Sequence, residues 1–208
     1  TSKARGANFN SASAQAEYDA HGRESNAQGK AWFKKGDAGK AMAGASKTLE
    51  GVYTTEYTYH AQMEPMNCVA KVSADGKSAD VWIGSQFTAL IGLVGAKVLK
   101  TKPQNIRVHQ YLLGGGYGRR IWPDAAVQAM VLSKITKKPV KLILTREDDI
   151  AAARPRPFTH HIVKAGMDNK GDVTAWHHRL ISENVDAVAA PPRFKATGGL
   201  DIIGMRGL

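Results

Sequence analysis

The run Gly114-Gly115-Gly116-Tyr117-Gly118-Arg119-Arg120 contains the residues of this 208-residue chain best suited to chemistry. Three consecutive glycines present bare backbone N–H groups, and a loop leading from a strand into a helix sets them near the positive end of that helix. Such a loop suits a phosphate or another oxyanion. The familiar nucleotide patterns do not fit. Counting G-x-G-x-x-G from Gly114 puts Arg119 where a glycine is required, and no Gly-Lys-Ser/Thr follows for a P-loop. From the run alone, a tight turn and a ligand cradle both stay open.

A second constellation is His160, His161, His177 and His178. A four-residue turn between their strands would set His161 opposite His178. A stable zinc site takes three or four ligands, however, and neighbours such as His160 and His161 point to opposite faces of a strand. The expectation is cross-strand polar packing, with no metal. Arg146-Glu147-Asp148-Asp149 reads as a structural ion-pair and turn element rather than a set of catalytic carboxylates.

The elements that must position these residues are legible in outline. Residues 1–30 show no apolar period and read as loop, Ala38 to Leu49 as a short helix, and Gly51 to His60 as a strand. Asn67 to Ser73 and Ala79 to Gly84 flank the turn Ala74-Asp75-Gly76-Lys77 and form a hairpin. Phe87, Leu90, Ile91, Val94 and Val98 recur at helical spacing and predict a buried helix over Phe87 to Lys100, stopped by Pro103. Ile106 to Leu113 is then a strand. After the glycine run, Asp124 is the expected N-cap of a helix burying Val127, Met130, Val131 and Ile135, which ends before Pro139. Val140 to Leu144 is a short strand, and a last hairpin pairs Phe158 to Met167 with Asp172 to Ser182. Hairpins interleaved with helices and a strand-helix-strand crossover imply an α+β fold with a mixed sheet and packed helices.

The formal net charge is +11. Between Thr101 and Thr145 eight basic residues face one acid, Asp124, so the excess surrounds the glycine run. Lys134, Lys137 and Lys138 read either as a solvated helix end or as part of a surface for an anionic partner. A nucleic-acid-binding module is the rival function class, but it calls for aromatics interleaved with the cations, and aromatics are only 7% of the chain. The longest apolar run, Phe87 to Leu99, is too short to cross a bilayer and is broken by Lys97, so no transmembrane segment is expected. One cysteine, Cys68, excludes an internal disulfide or a cysteine-rich metal site from this chain alone. A start at Thr1 and the ending Gly204-Met205-Arg206-Gly207-Leu208 suggest a piece of a longer polypeptide.

The flanks of the glycine run carry a resemblance. His60-Ala61-Gln62-Met63-Glu64-Pro65-Met66-Asn67 and Val81-Trp82-Ile83-Gly84-Ser85-Gln86 precede it; Val140-Lys141-Leu142, Thr145-Arg146-Glu147-Asp148-Asp149 and the Asp168-to-Gly171 turn with Ala175-Trp176 follow. This order resembles the molybdenum-cofactor subunits of the xanthine dehydrogenase and aldehyde oxidase family, nearest to the bacterial branch of isoquinoline oxidoreductases and related aldehyde dehydrogenases. The resemblance implies a partial molybdopterin-binding domain over residues 38–208, with 1–37 as a linker or irregular segment. It implies a molybdenum–molybdopterin cofactor, alone or extended as a dinucleotide. Gly114, Gly115, Gly116, Tyr117, Gly118, Arg119 and Arg120 would line that cofactor. Gln86 would point toward it or make a helix-entry hydrogen bond, while His60 and Glu64 would face the substrate pocket or anchor their strand. Family members hydroxylate aldehydes or nitrogen heterocycles with oxygen from water, and the general-base glutamate is expected beyond Leu208. Ile121, standing where purine-oxidising relatives keep a carboxylate, argues against a purine substrate. The implied partners are a small iron–sulfur subunit, a cytochrome acceptor, the remainder of the large subunit and a small-molecule substrate. The implied location is periplasmic, with the cytoplasm as the alternative. A relative that has lost the cofactor and serves as an interaction domain is the competing reading within the same fold.

Overall fold

The computed structural model describes residues 9–24, 29–152 and 154–202. In chain order the elements are α1 (Ser11–Arg23), α2 (Ala38–Ala43), β1 (Lys47–Thr55), β2 (Asn67–Val72), β3 (Ala79–Ile83), α3 (Thr88–Leu99), β4 (Ile106–Gln110), α4 (Asp124–Thr136), β5 (Val140–Ile143), α5 (Arg146–Ala152), β6 (Thr159–Met167), β7 (Val173–Ser182), α6 (Val185–Ala189) and α7 (Pro191–Ala196). The chain divides into two compact units, one made of Thr1–Thr58 with Arg156–Leu208, the other of Tyr59–Pro155. A linker followed by one domain is therefore not the arrangement found. Its first strand, β1, pairs with β6 more than a hundred residues later, and that ladder joins the two ends of the chain into one unit. The terminal sequence Gly204 to Leu208 lies outside the described residues, as do residues 1–8 and 25–28.

In the first unit β1, β6 and β7 form an antiparallel sheet with β6 in the centre. The segment expected to be loop contains α1, capped by the Asn10 side chain, which accepts the Ser13 N–H at 3.0 Å. Tertiary contacts supply what the missing apolar period does not. Gly22 approaches the sheet so closely that a Cβ there would stand 2.6 Å from Ile162 Cδ1, and Arg179 donates to the Gly22 and Glu24 carbonyls at 2.8 and 3.0 Å. α2 stops at Ala43 rather than Leu49, because Lys47 to Thr55 are drawn into the β6 ladder. Phe158, 1% exposed, meets Tyr18 edge-on and Tyr57 at a tilt.

The second unit carries the sheet β4-β3-β2-β5, mixed because β3 and β4 run parallel and the other pairs antiparallel. α3 is the crossover between the parallel strands. With α4 it covers one sheet face, and the core lies there, from Met66, Cys68 and Ala70 on β2 and its approach to Ile91, Leu99 and Met130 on the helices. Each large apolar side chain of this core adds about 1.5–3 kcal/mol by leaving water. Both helices occur where the period predicts, but their buried faces are rotated. α3 buries Ile91, Gly95, Ala96 and Leu99 while Phe87 is exposed, and α4 buries Ala125, Ala126, Ala129, Met130 and Ser133 while Val131 and Ile135 are exposed. Close approach explains the choice. A Cβ on Gly95 would stand 2.9 Å from Met130 Cε, and Ser133 Oγ accepts the Val72 N–H at 3.0 Å. On α4 small residues and Met130 face inward, while Val131, Leu132 and Ile135 are left outside. Pro123, not Asp124, is the N-cap of α4. Burial also pushes the Cys68 thiol up to about 12.

Candidate functional site

The side chains that hold the glycine run belong to the second unit, at the end where β3 and β4 finish and α3 and α4 begin. β4 ends at Gln110, three residues before the expected Leu113, and the chain continues as an open loop with Leu112 exposed. Gly115 and Gly118 have φ of 95° and 100°, and Tyr117 takes φ 51°. Glycine relieves the strain at two of these positions; Tyr117 bears it, with its side chain exposed.

Two side chains hold the ends of the loop. Glu64 Oε2 accepts the Gly114 N–H at 2.7 Å, and the Glu64 N–H donates to the Gly114 carbonyl at 3.1 Å. Gln86 Oε1 accepts the Gly118 N–H at 3.0 Å. The fit is close. A Cβ on Gly114 would stand 2.5 Å from Glu64 Cβ, and one on Gly116 would stand 2.5 Å from Gln86 Oε1. His60 is the third neighbour, its Nε2 3.5 Å from where a Gly118 Cβ would be. Gly114 to Gly118, Gln86, His60 and Glu64 are therefore brought together. Among the described residues the backbone N–H groups of Gly115, Gly116 and Tyr117 take no protein acceptor. A row of three open donors fits an oxygen-rich ligand.

The two arginines turn inward instead of lining the loop. Arg119 is fully buried; its guanidinium pairs with Asp124 at 2.7 Å and with Asp149 at 2.8 Å. Arg120 donates to the Gly84 and Glu64 carbonyls at 3.2 and 2.8 Å and pairs with the Glu64 carboxylate at 2.9 Å. Its own carbonyl accepts the Gln86 N–H at 3.1 Å and the Ser85 hydroxyl at 3.1 Å. Burial holds the Arg120 guanidinium below its usual value, partly offset by Glu64. Burial alone would raise the Glu64 carboxyl, but the Gly114 N–H, the Asn67 amide and Arg120 outweigh it and keep it below the usual range. These side chains position the loop.

Asp149, on α5, is the member of the expected ion-pair element that the sequence did not single out. It has no exposed surface, and it accepts hydrogen bonds from the Tyr59 hydroxyl, the Gln62 amide and Arg119 Nε. Arg146, on the same helix, donates to the Tyr59 hydroxyl at 2.7 Å and the Met63 carbonyl at 3.0 Å. The expected structural ion-pair element is present, and it ties segment 59–63 to the glycine loop. The i,i+3 spacing of Arg146 and Asp149 puts both on one helix face, a signal that could have separated Asp149 from the exposed Glu147 and Asp148. Along the sheet face away from the helices, from beside the loop toward the far end of the strands, a cavity of about 550 Å³ is lined by Glu64, Asn67, Trp82 and Leu112 at one end and by Lys71 and Pro139 at the other. His60 is not among its lining residues.

The histidines of β6 and β7 belong to the first unit. A longer turn and a bulge after Gly166 set His161 opposite Leu180 and His178 opposite Val163, not opposite each other. They still meet on the diagonal, His161 Nδ1 lying 2.9 Å from His178 Nε2, and His160 turns to the other face toward Asp19. Among the described residues no group of three or more His, Cys, Asp or Glu is placed to hold a metal ion.

Residues 20–191 match the family of the molybdopterin cofactor-binding domain. The chain is 32% identical over 146 residues to the beta subunit of isoquinoline 1-oxidoreductase from Brevundimonas diminuta, covering 68% of this chain and 18% of that protein. It is 30% identical over 151 residues to the molybdenum-binding subunit of an Escherichia coli K12 aldehyde oxidoreductase, covering 72% and 20%. Among solved structures, quinoline 2-oxidoreductase from Pseudomonas putida 86 superposes with a TM-score of 0.60 at 19% identity, over 71% of this chain and 19% of that one. Aldehyde oxidoreductase from Desulfovibrio gigas does so with a TM-score of 0.60 at 22% identity, over 73% and 16%. These structures share the fold. The chain spans about a fifth of the length of the curated relatives it matches.

Proposed function

This chain belongs to the molybdopterin cofactor-binding domain family, and we propose from that premise that it forms the glycine-loop wall of the cofactor site in the large subunit of a molybdenum hydroxylase, an oxidoreductase of aldehydes or nitrogen heterocycles. The observation that carries the reading is the row of open N–H donors at Gly115, Gly116 and Tyr117, in a loop whose ends Glu64 and Gln86 hold. When bound, the molybdenum–pterin group supplies oxidation of an electrophilic carbon with oxygen taken from water. The chain's own contribution is to hold donors in place before the ligand arrives, so that binding costs little reorganisation. Arg119 and Arg120 serve this from inside, and Tyr117 offers an exposed ring beside the donors.

The carboxylates that touch the loop segment do not suit the role of general base. Glu64, Asp124 and Asp149 are each ion-paired to an arginine, and Glu64 is held in its ionised form by three donors. A base needs a free lone pair and a proton affinity near the working pH. The base is then a glutamate outside these residues, as the resemblance implies. The relatives described as a beta subunit and a molybdenum-binding subunit support an assembly in which the rest of the large polypeptide and an iron–sulfur subunit complete the enzyme; a cytochrome acceptor is the further partner of this proposal.

The test is the molybdenum content of the longer native protein, produced in a host that makes the cofactor and measured by elemental mass spectrometry beside its Gly116→Ala variant. A Cβ there displaces Gln86 Oε1 from the Gly118 N–H at a cost of about 1–2 kcal/mol, so the variant folds while the loop is disturbed. The expected result is stoichiometric metal in the parent and depleted metal in the variant. A parent protein that folds without molybdenum overturns the reading.

A further inference from the structure

The second unit gathers its cations at the end opposite the glycine loop. The start of β3 is paired with the end of β2 and the start of β4, as Ala79 with Val72 and Ile106, and the start of β5 with β2, as Val140 with Ala70. The connections made at this end carry Lys77, Lys100, Lys102, Lys137 and Lys138. Within about one turn of it on their own elements stand Lys71, Lys97, Arg107, Lys134 and Lys141. All ten are exposed, and the acids here are Asp75 and Asp80. At the glycine-loop end the balance is reversed, with Arg119, Arg120, Arg146 and Arg154 against five acids. The salt bridges within this unit among the described residues are His109–Asp80, Arg119–Asp124, Arg119–Asp149 and Arg120–Glu64, none of which includes the ten, though the Lys77 charge acts on Asp75 beside it.

Two helix C-termini, those of α3 and α4, also end here, and their negative dipole ends favour nearby cations. That accounts for a lysine or two at each terminus. It does not account for Lys77, whose hairpin turn approaches Lys134 so closely that a Cβ on Gly76 would stand 3.1 Å from Lys134 Cε; Lys71, Arg107 and Lys141 lie on the sheet face away from the helices, where Asp80 stands in register between Lys71 and Arg107. The helix side of the pole carries an apolar group as well. Ile135, 71% exposed, stands between Lys134 and Lys138, with Leu132 one turn before it.

We propose that this pole is a docking surface for an acidic protein, one that sets Asp and Glu side chains around an apolar group. Nine of the ten cations are lysines, hydrated point charges on flexible stems, which steer and orient an anionic surface without the planar fork that grips single phosphates. No aromatic residue occurs in 70–79, 97–107 or 132–142, and the stacked Trp82–His109 pair belongs to the sheet face away from the helices, so the helix side of the pole lacks the stacking platform of a nucleic-acid surface and the aromatic anchors of a membrane surface. An exposed apolar group flanked by lysines suits a protein interface, whose apolar contacts are rimmed by polar ones. The proposal does not depend on the cofactor, since the pole and the loop lie at opposite ends of the unit.

The experiment is fluorescence anisotropy on the full chain with three probes: a labelled peptide carrying glutamates around two leucines, a labelled DNA duplex, and phosphatidylglycerol–phosphatidylcholine vesicles. The peptide is expected to bind more tightly than the other two at physiological salt, and to weaken as salt rises. Reversal of charge in Lys134→Glu/Lys137→Glu/Lys138→Glu should cost about tenfold in peptide affinity, from a few tenths of a kcal/mol per exposed pair lost and reversed. Ile135→Ser should cost about threefold and leave DNA binding unchanged. If the triple variant fails to fold by circular dichroism, Lys137→Gln/Lys138→Gln replaces it, with a smaller loss in the same direction. Absence of peptide binding, peptide affinity unchanged by either type of variant, or tighter binding of DNA or vesicles overturns the proposal.

Discussion

Glu64 acts on the glycine loop through its charge. Its carboxylate accepts from Gly114 and from the Asn67 amide and pairs with Arg120, and together these hold its proton affinity below the ordinary 4.5. A group whose folded value lies below its unfolded value stabilises the fold above the unfolded value and loses that contribution as pH falls through the folded one. Wild-type protein is therefore expected to melt above Glu64→Gln near neutral pH, and the difference should close as pH falls below the carboxylate range. The carboxylate is about a third exposed, so the difference is modest. Melting temperatures of the pair across a pH series decide it: a gap that persists in strong acid means that Glu64 contributes by shape alone. Sequence reading could place Glu64 near the loop through the family pattern, but not choose between pocket wall and anchor. That choice rests on the reach from Glu64 to Gly114, fifty residues away in sequence.

At the scale of elements, α5 is one short helix whose buried carboxylate joins three segments. Asp149 takes Tyr59, Gln62 and Arg119 together, and Arg119 carries the link on to Asp124 at the start of α4. Removing one partner of a buried ion pair leaves the other charge uncompensated, which costs about 3–5 kcal/mol. Asp149→Asn should lower the unfolding free energy of the second unit, extrapolated from its urea transition, by that much, and a loss under about 1 kcal/mol would show that the Arg119–Asp124 pair suffices. The same scale explains why periodicity located α3 and α4 correctly yet misjudged their faces. A hydrophobic period marks where side chains are bulky, whereas the close packing of α4 on the sheet selects where they are small, at Ala125, Ala126, Ala129 and Ser133.

At the scale of the molecule, each unit has its own sheet, and the core of Met66 to Met130 lies wholly within Tyr59–Pro155. A unit with its own core and its own sheet has what independent folding requires. The polypeptide 59–155 is expected to unfold cooperatively in urea, with coincident circular-dichroism and fluorescence transitions. A gradual, non-coincident loss of signal would mean that the first unit is needed to complete it. That first unit cannot be cut out as one piece, because β1 comes from the start of the chain and β6 and β7 from near its end.

The sequence by itself determined what depends on neighbours in the chain. Gly76 and Gly171, both at positive φ, fix the two hairpin turns; apolar period places α3 and α4; and the ordered motifs around the glycine run identify the family. Tertiary structure alone decided what depends on distant partners. Without Ile162, Ile181 and Arg179 against it, residues 11–23 carry no apolar stripe that would mark a helix. The bulge after Gly166 sets the histidine register, Asp149 becomes a hub only when Tyr59 and Arg119 arrive, and ten scattered cations become one pole only when the strands pair. Local conformation is set by the few bonds and side chains beside each residue, whereas register, burial and charge clustering are set by contacts whose partners lie tens of residues apart.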